Sequence, residues 1–281
     1  MTKKFCDLHT HSFFSDGTYT PTELINEAVE RGLSAIALTD HNSIAGLDEF
    51  KEAAVGKPIR AVPGVEFSTD YGETELHIVA LFVKEESYDR INELVNDLKK
   101  RKEKSNLELI ARLNAGGYTV DLEKLRRESH GQINRAHISH QLMLAGYVNS
   151  IEEAFDTLLS KKGPFYTQPK RLDVFEVIRF VKSIGSVSVL AHPFLNLSEA
   201  ELREFLKKAK SEGLHAMETL YSKFDEDTTA LARKIAKEYG ILESGGSDFH
   251  GWRKPGIELG IGKGSLAVPV TFLDELEKLK A

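Results

Sequence analysis

The stretch DLHTHSFFSDGT, residues 7–18, carries several side chains that can bind a metal ion. His9 and His11 are two residues apart, and residues i and i+2 of an extended segment project to the same side, so both imidazoles could reach one ion. Asp7 and Asp16 add carboxylates nearby. Imidazole and carboxylate ligands without a thiolate favour Mn, Fe, Zn or Co over a soft-metal site. One His-X-His pair is weak evidence, so the interpretation depends on the rest of the chain.

Similar polar residues stand in or just after later apolar runs. They are Asp40 and His41 in LTDHNS, Glu66 in PGVEFS, His77 in ELHIVAL, His192 in LAHPF, and Asp248 and His250 in GGSDFH. If these runs are the strands of a barrel, the side chains at their ends converge on one face. A carboxylate such as Glu66 can bridge two ions, as imidazole ordinarily does not. Together with His9 and His11 these seven residues make nine candidate ligands, more than one ion can use, so the sequence predicts two or three ions.

The elements that would position these residues are short apolar runs alternating with amphipathic helices. The predicted strands cover 5–8, 34–39, 59–67, 75–83, 186–191, 215–220 and 241–244. The predicted helices cover 43–54, 171–184, 198–212 and 225–239, with another from Pro21, where Thr20 and Glu23 form a capping box and Gly32 ends the helix. This alternation favours a parallel α/β barrel of seven strands.

One connection is too long for a simple crossover. About 100 residues lie between Val83 and Ser186, whereas a crossover needs only a few tens. The excess has helical patterns at 89–115, 121–129, 135–146 and 150–161. We therefore predict a helical insertion at 87–168, between barrel segments 1–86 and 169–281.

Composition excludes several classes of protein. The net charge of the 281-residue chain is −6, which disfavours long duplex nucleic acid as a partner. Cys6 is the single cysteine, so there is no disulfide framework. No apolar run suggests a signal peptide or a membrane span. We expect a cytoplasmic protein with no membrane partner, and the sequence leaves its oligomeric state open.

The motifs HTH with SDG, TDH, GVEFS, ELHIVAL, LAHP and GGSDFH occur in an order that resembles the polymerase and histidinol phosphatase (PHP) family. The resemblance implies a distorted seven-stranded barrel with up to three divalent ions, Mn first and Fe or Zn as alternatives. It assigns the ligands as three sets: His9, His11, Glu66 and Asp248; Glu66, His77 and His192; and Asp16, His41 and His250. Asp7 and Asp40 would orient histidine rings, although Asp40 could also contact substrate.

Within the insertion, GQINRAHISHQLM resembles a segment of the bacterial subgroup that includes 3′,5′-nucleoside bisphosphate phosphatases and the 5′-to-3′ exoribonuclease RNase AM. Ala136 stands where that subgroup has proline. The resemblance implies that Arg135 and His137 bind substrate. Arg101 and Lys104, at i and i+3 on one helix face, match a basic pair of the subgroup and would bind substrate too.

The leading hypothesis is a metal-dependent phosphoesterase acting on nucleotides. It would remove the 3′-phosphate of a nucleoside 3′,5′-bisphosphate or trim short RNA from the 5′ end. A hydroxide held between two metal ions would attack phosphorus, and His137 is one candidate general acid. Two alternatives stay open: a histidinol-phosphate phosphatase, which the RAH-containing insertion disfavours, and a non-catalytic metal-binding module, which the complete ligand set disfavours.

A few histidines and acids belong to none of these motifs. Glu218 ends the sixth predicted strand, where catalytic residues can occur, but it matches no motif. His130, His140 and His215 are expected to be ordinary surface or core residues.

Overall fold

The computed structural model describes residues 4–128, 133, 135–160, 163–166, 169 and 171–280. The chain divides into two compact units. The first comprises Met1–Glu93 and Leu172–Ala281, and the second comprises Leu94–Arg171. The nine predicted ligands belong to the first unit and the four predicted substrate-binding residues to the second. His130 and Asn134 lie outside the described residues.

A nearly closed, barrel-like sheet forms the first unit. Its strands are β1 (Phe5–Asp7), β2 (Ala35–Leu38), β3 (Arg60–Tyr71), β4 (Thr74–Leu81), β5 (Leu172–Asp173), β6 (Val187–Leu190), β7 (Ala216–Tyr221), β8 (Leu242–Gly246) and β9 (Val268–Pro269). They pair in the order β8-β7-β6-β4-β3-β2-β1-β9, and β5 pairs with β3. The N–H of Leu8 donates to the carbonyl of Gly245 at 3.2 Å and joins the ends of the seven-stranded set. The predicted α/β barrel is therefore confirmed.

The strand β4 runs antiparallel to both of its neighbours, β3 and β6. Only Gly72 and Glu73 separate β3 from β4, and Gly72 has a φ of 60°. A two-residue connection can join only antiparallel strands, so the prediction of an all-parallel sheet is wrong at this strand. One consequence concerns His77, the fourth residue of β4. Because β4 is reversed, its first half lies beside the end of the barrel where the parallel strands finish.

Helices flank the strands of the first unit. They are α1 (Pro21–Glu30), α2 (Leu47–Ala53), α7 (Val174–Ser183), α8 (Glu199–Glu212), α9 (Glu226–Tyr239) and α10 (Val270–Glu277). The predicted capping box at α1 is confirmed: the N–H of Glu23 donates to the Thr20 hydroxyl at 3.0 Å, and the N–H of Thr20 donates to the Glu23 carboxylate at 2.7 Å. The barrel interior is filled by small and branched apolar side chains, including Ala37, Val79 and Val189.

The second unit is built of helices, and the first of these begins in the first unit and continues into the second. The helices are α3 (Tyr88–Ala115), α4 (Leu122–Glu128), α5 (Arg135–Leu144) and α6 (Ile151–Asp156). The second unit has its own apolar core, in which Leu113, Leu125, Ile138 and Leu142 are fully buried. Across the described chain, none of the helices combines the length and the apolar character needed to cross a membrane.

Candidate metal centre

The nine predicted ligands converge at one end of the barrel. His9 and His11 follow β1, His41 follows β2, Glu66 lies in β3, His77 in β4, His192 follows β6, and Asp248 and His250 follow β8, while Asp16 comes from the loop before α1. Glycine in the GGSDFH motif makes this approach possible: a Cβ on Gly246 would lie 2.4 Å from Cβ of His9. Any larger residue at this position would push the end of β8, and with it the segment that carries Asp248, away from His9.

Glu66 lies at the middle of the cluster and is fully buried. Its Oε1 is 2.8 Å from Nδ1 of His77 and 3.2 Å from Nε2 of His192. Its Oε2 contacts three more imidazoles, at 2.9 Å from Nδ1 of His41, 3.2 Å from Nε2 of His9 and 3.3 Å from Nε2 of His11. Burial would raise the pKa of Glu66, but the imidazoles of His41, His9 and His77 hold it well below its ordinary value. The carboxylate is therefore ionised, with one oxygen on each side of the centre.

His11 is fully buried, and burial together with His41 lowers the pKa of its imidazole to about 3. The ring is therefore neutral at ordinary pH and can offer a lone pair to a cation. Its Nε2 is also 3.3 Å from Oδ1 of Asp248. His11 thus stands between the carboxylates of Glu66 and Asp248, which are 182 residues apart in the sequence.

Asp248 has its two oxygens in different surroundings. Oδ1 faces the imidazoles, 3.8 Å from Nε2 of His9, whereas Oδ2 accepts hydrogen bonds from the Tyr221 hydroxyl at 2.8 Å and the Lys254 ammonium at 2.7 Å. Its backbone has a φ of 57°, a conformation that non-glycine residues rarely adopt. The N–H of Asp248 donates to the carbonyl of His9 at 2.9 Å, a bond that holds the residue in this conformation.

A further group of ligand atoms lies toward solvent around Asp16, whose side chain is 48% exposed. Oδ1 of Asp16 is 3.2 Å from Nε2 of His250, and Oδ2 is 3.8 Å from Nε2 of His41. The rings of His11 and His250 are 4.1 Å apart between centroids. This end of the centre is the one that solvent can reach through Asp16.

The donor atoms are arranged as a cation site requires. In four groups, one ligand atom from each residue lies within 4.8 Å of those of the other members: His11, Asp16, His41 and His250; His9, Glu66 and His192; His9, His11 and Asp248; and His41, Glu66 and His77. Six buried atoms of this centre also lack a hydrogen-bond partner: Nε2 of His9, Nδ1 and Nε2 of His11, Nδ1 of His41, Oε2 of Glu66 and Nε2 of His250. Leaving buried polar atoms unpaired is costly, and divalent cations bound by nitrogen and oxygen would pair them. The residues present therefore fit divalent metal ions.

Asp7 and Asp40 are buried acids that accept hydrogen bonds from loops near the centre. Asp7 accepts the backbone N–H groups of Ser247 and Gly260, both at 2.8 Å. Asp40 accepts the N–H of Ser12 at 2.8 Å and the hydroxyl of Ser15 at 2.6 Å. The described side-chain partners of both aspartates are backbone amides and serine hydroxyls. That Asp7 and Asp40 orient imidazole rings stays a prediction. Both aspartates hold the loops that carry ligands.

The residue that contacts an imidazole in the expected way is Glu218. Its Oε1 is 2.7 Å from Nδ1 of His9, and its Oε2 accepts the backbone N–H of His192 at 2.6 Å. Sequence reasoning placed Glu218 at a strand end but gave it no part. The available signal was an acid inside the otherwise apolar run of β7, where a glutamate needs buried partners.

The four predicted substrate-binding residues lie on the helices of the second unit. Arg101, on α3, pairs with Asp97 at 2.6 Å, and Lys104 is exposed on the same helix. The guanidinium of Arg135 lies 4.3 Å from the ring centre of Tyr166 and donates to the carbonyl of Leu159 at 3.3 Å. His137 is half-buried on α5. Their contact with substrate stays a prediction.

Comparisons with known proteins agree with this geometry. The sequence model of the PHP domain matches residues 7–164. The chain is 32% identical over 264 residues to a 5′-3′ exoribonuclease of Haemophilus influenzae, covering 92% of this chain and 94% of that protein. It is 30% identical over 261 residues to a 3′,5′-nucleoside bisphosphate phosphatase of Chromobacterium violaceum, covering 90% of each.

A solved structure is similar over almost the whole length. A protein of Bifidobacterium adolescentis described as a metal-dependent phosphoesterase superposes with a TM-score of 0.78 at 25% identity, covering 99% of this chain and 97% of that one. These similarities cover nearly the whole sequence. They agree with the sequence motifs, with the barrel and with the cluster of side chains around Glu66. The chain belongs to the PHP domain family.

Proposed function

We propose that this protein is a divalent-metal-dependent phosphoesterase that hydrolyses nucleotide phosphate esters. Its substrates are nucleoside 3′,5′-bisphosphates, which lose the 3′-phosphate, and short RNA, which is trimmed from the 5′ end. The observation that carries the proposal is the convergence of five imidazoles within 3.3 Å of one buried carboxylate, Glu66. It occurs in a chain that aligns along about nine-tenths of its length with relatives named for these two activities.

We assign three ions, Mn first with Fe or Zn as alternatives, to the ligand sets implied by the family motifs. Glu66 would be shared, and its contacts support this, because Oε1 faces His77 and His192 whereas Oε2 faces His9 and His11. The Oε2 atom also contacts His41 of the third set, at 2.9 Å. The third set is Asp16, His41 and His250. When bound, divalent ions lower the pKa of coordinated water and polarise phosphoryl oxygens.

The protein groups of the centre prepare it for this chemistry. The barrel buries Glu66, His9 and His11 completely, so their donor atoms keep fixed positions. Asp16 is the ligand most open to solvent, and we propose that a phosphate ester enters from its side. Lys254, held 2.7 Å from Asp248, adds a positive charge beside the centre that favours an anionic substrate.

We further propose that the helical insertion, predicted at 87–168, serves as a substrate cap. Arg135 would hold the second phosphate through parallel N–H···O bonds, with His137, Arg101 and Lys104 as further polar contacts. A guanidinium suits this part because it remains charged at any ordinary pH. A net charge of −6 agrees with small phosphorylated substrates rather than long duplex nucleic acid.

The function is tested by measuring products from four substrates with the Mn-loaded protein. We expect fast phosphate release from adenosine 3′,5′-bisphosphate and release of 5′-nucleotides from a short 5′-phosphorylated RNA. AMP and histidinol phosphate should react slowly, and chelation should stop all turnover. Rapid release of phosphate from histidinol phosphate alone would be consistent with the metal centre but would reject nucleotides as the substrates. No turnover of any substrate by metal-loaded protein would favour a non-catalytic module.

Arg135→Ala should raise KM for adenosine 3′,5′-bisphosphate by about tenfold or more, since a hydrogen-bonded charge contributes about 1.5–3 kcal/mol. KM for adenosine 3′-monophosphate should change little, because that substrate loses the same phosphate but has no second one. Steady-state kinetics of both substrates give the comparison. The matched control is Arg126→Ala, since Arg126 is an exposed arginine of the same unit that pairs with Glu123 at 2.8 Å. Equal changes in KM for both substrates would remove Arg135 from a second-phosphate site.

A further inference from the structure

Glu218 is a buried acid that the proposed ligand sets do not use. It lies in β7, it is 1% exposed, and the strand around it is AMETLY. Both of its oxygens are occupied by residues of the metal centre, Oε1 by the ring of His9 at 2.7 Å and Oε2 by the backbone N–H of His192 at 2.6 Å. A buried carboxylate with two such partners needs an explanation beyond packing.

The contact with His9 determines which ring nitrogen faces the centre. Because a carboxylate can only accept, Nδ1 of His9 carries a proton toward Glu218. Nε2 is therefore the ring nitrogen whose lone pair a metal ion would take. That Nε2 lies 3.2 Å from Oε2 of Glu66 and has no hydrogen-bond partner. Glu218 therefore directs the free lone pair of His9 into the cluster of ligand atoms.

The contact with His192 stabilises an unfavourable backbone. His192 has a φ of 32° and a ψ of 54°, in the left-handed region that β-carbon-bearing residues seldom occupy. The bond from its N–H to Glu218 holds it there, and the rings of His9 and His192 then stack at 5.6 Å between centroids. One carboxylate thus fixes two ligands that arrive from different strands.

We propose that Glu218 is a positioning residue that sets the affinity of the centre for divalent metal by holding His9 and His192 at a fixed spacing. This proposal rests on the metal centre of the proposed function. In the ligand sets proposed above, His9 and His192 would bind different ions, although their ligand atoms also form one group with Glu66. With that assignment Glu218 would couple two ion positions. Partners that orient a metal-binding histidine typically contribute about 10- to 100-fold to metal affinity.

Glu218→Gln is the sharpest variant, because the amide replaces one accepting oxygen with an NH2 group. The side chain can then accept from either His9 or His192 but not from both. We expect the Mn²⁺ affinity to fall about 10- to 100-fold. The affinity is measured by calorimetric titration of the folded protein after a chelator has removed its metal. The absorption spectrum of the Co²⁺-loaded protein should also shift, a change that a purely structural role would not cause.

The matched control is Glu243→Gln on the neighbouring strand β8, where Glu243 pairs with Arg233 at 2.7 Å outside the centre. It should leave both the Mn²⁺ affinity and the Co²⁺ spectrum unchanged. A folded Glu218→Gln protein with Mn²⁺ affinity within twofold of the wild type and the same Co²⁺ spectrum would overturn the proposal.

If Glu218→Gln loses its cooperative thermal transition, Glu218→Asp provides the same test, since the shorter side chain keeps the charge but cannot reach both partners. Failure of both variants to fold would assign Glu218 to the stability of the barrel and would also overturn the proposal. Because metal binding is measured without substrate, tight Mn²⁺ binding by an inactive wild type would reject the proposed function while leaving this inference intact.

Discussion

Glu66→Gln should reduce kcat and metal affinity by more than about a hundredfold, which exceeds the loss typical of residues that only orient ligands. The substitution removes the negative charge around which five imidazoles are grouped and replaces one ligand oxygen with an NH2 group that cannot bind a cation. Metal content after dialysis, measured by mass spectrometry, and phosphate release at saturating substrate give the two quantities. We expect both to fall together.

The control for Glu66→Gln is Glu243→Gln, which makes the same chemical change in the same sheet but outside the centre. It should keep its metal and its turnover. A Glu66→Gln protein that retains wild-type metal content and turnover would exclude Glu66 as the shared ligand, and the assignment of ligand sets would fail with it.

His11→Ala should lower kcat to less than about one hundredth of the wild-type value while the fold persists. Both ring nitrogens of His11 are buried without a hydrogen-bond partner, so the fold loses little hydrogen bonding when the ring is removed. The metal centre, in contrast, loses a neutral imidazole that stands between Glu66 and Asp248. Phosphate release is measured at saturating Mn²⁺, and circular dichroism establishes that the variant is folded.

His140→Ala is the matched histidine control, since His140 is exposed on α5 of the second unit. It should keep wild-type activity. Near-normal turnover of metal-replete His11→Ala would refute the assignment of His11 to the centre, and loss of the folded state would show that its part is structural.

The convergence of the candidate ligands could be predicted because eight of the nine stand in or just after a recognisable strand, and Asp16 follows the first of them in the same motif. His9, His41 and Asp248 all follow apolar runs, and strand ends in a barrel share one face. The direction of β4 could not be read in the same way. It depends on the two-residue connection at Gly72 and Glu73. This connection lies within the mainly polar stretch STDYGETE, where the sequence pattern does not distinguish a tight turn from a longer loop. The strands β5 and β9, at two residues each, are too short to have a periodicity.

The contacts of the buried acids that are not predicted metal ligands were harder to predict, and the reason is physical. Asp7, Asp40 and Glu218 are all buried carboxylates near the centre, and each needs accepted hydrogen bonds to be stable there. Which donors they find depends on the three-dimensional approach of distant loops. Asp7 meets Ser247 and Glu218 meets His9, pairs separated by 240 and 209 residues. The sequence shows that such an acid exists but not its partner.

The joining of β1 to β8 has a consequence for how the protein acquires its metal. His9 and Asp248 are 239 residues apart in the sequence, and the segment with His9 and His11 is synthesised before the one with Asp248 and His250. The ligand set is therefore incomplete on the ribosome until residues 248–250 have emerged. Bringing such distant segments together is among the slower events of folding. Metal uptake should accordingly follow the synthesis of residues 248–250, and a chain interrupted before residue 248 would leave His9 and His11 without their opposing carboxylate.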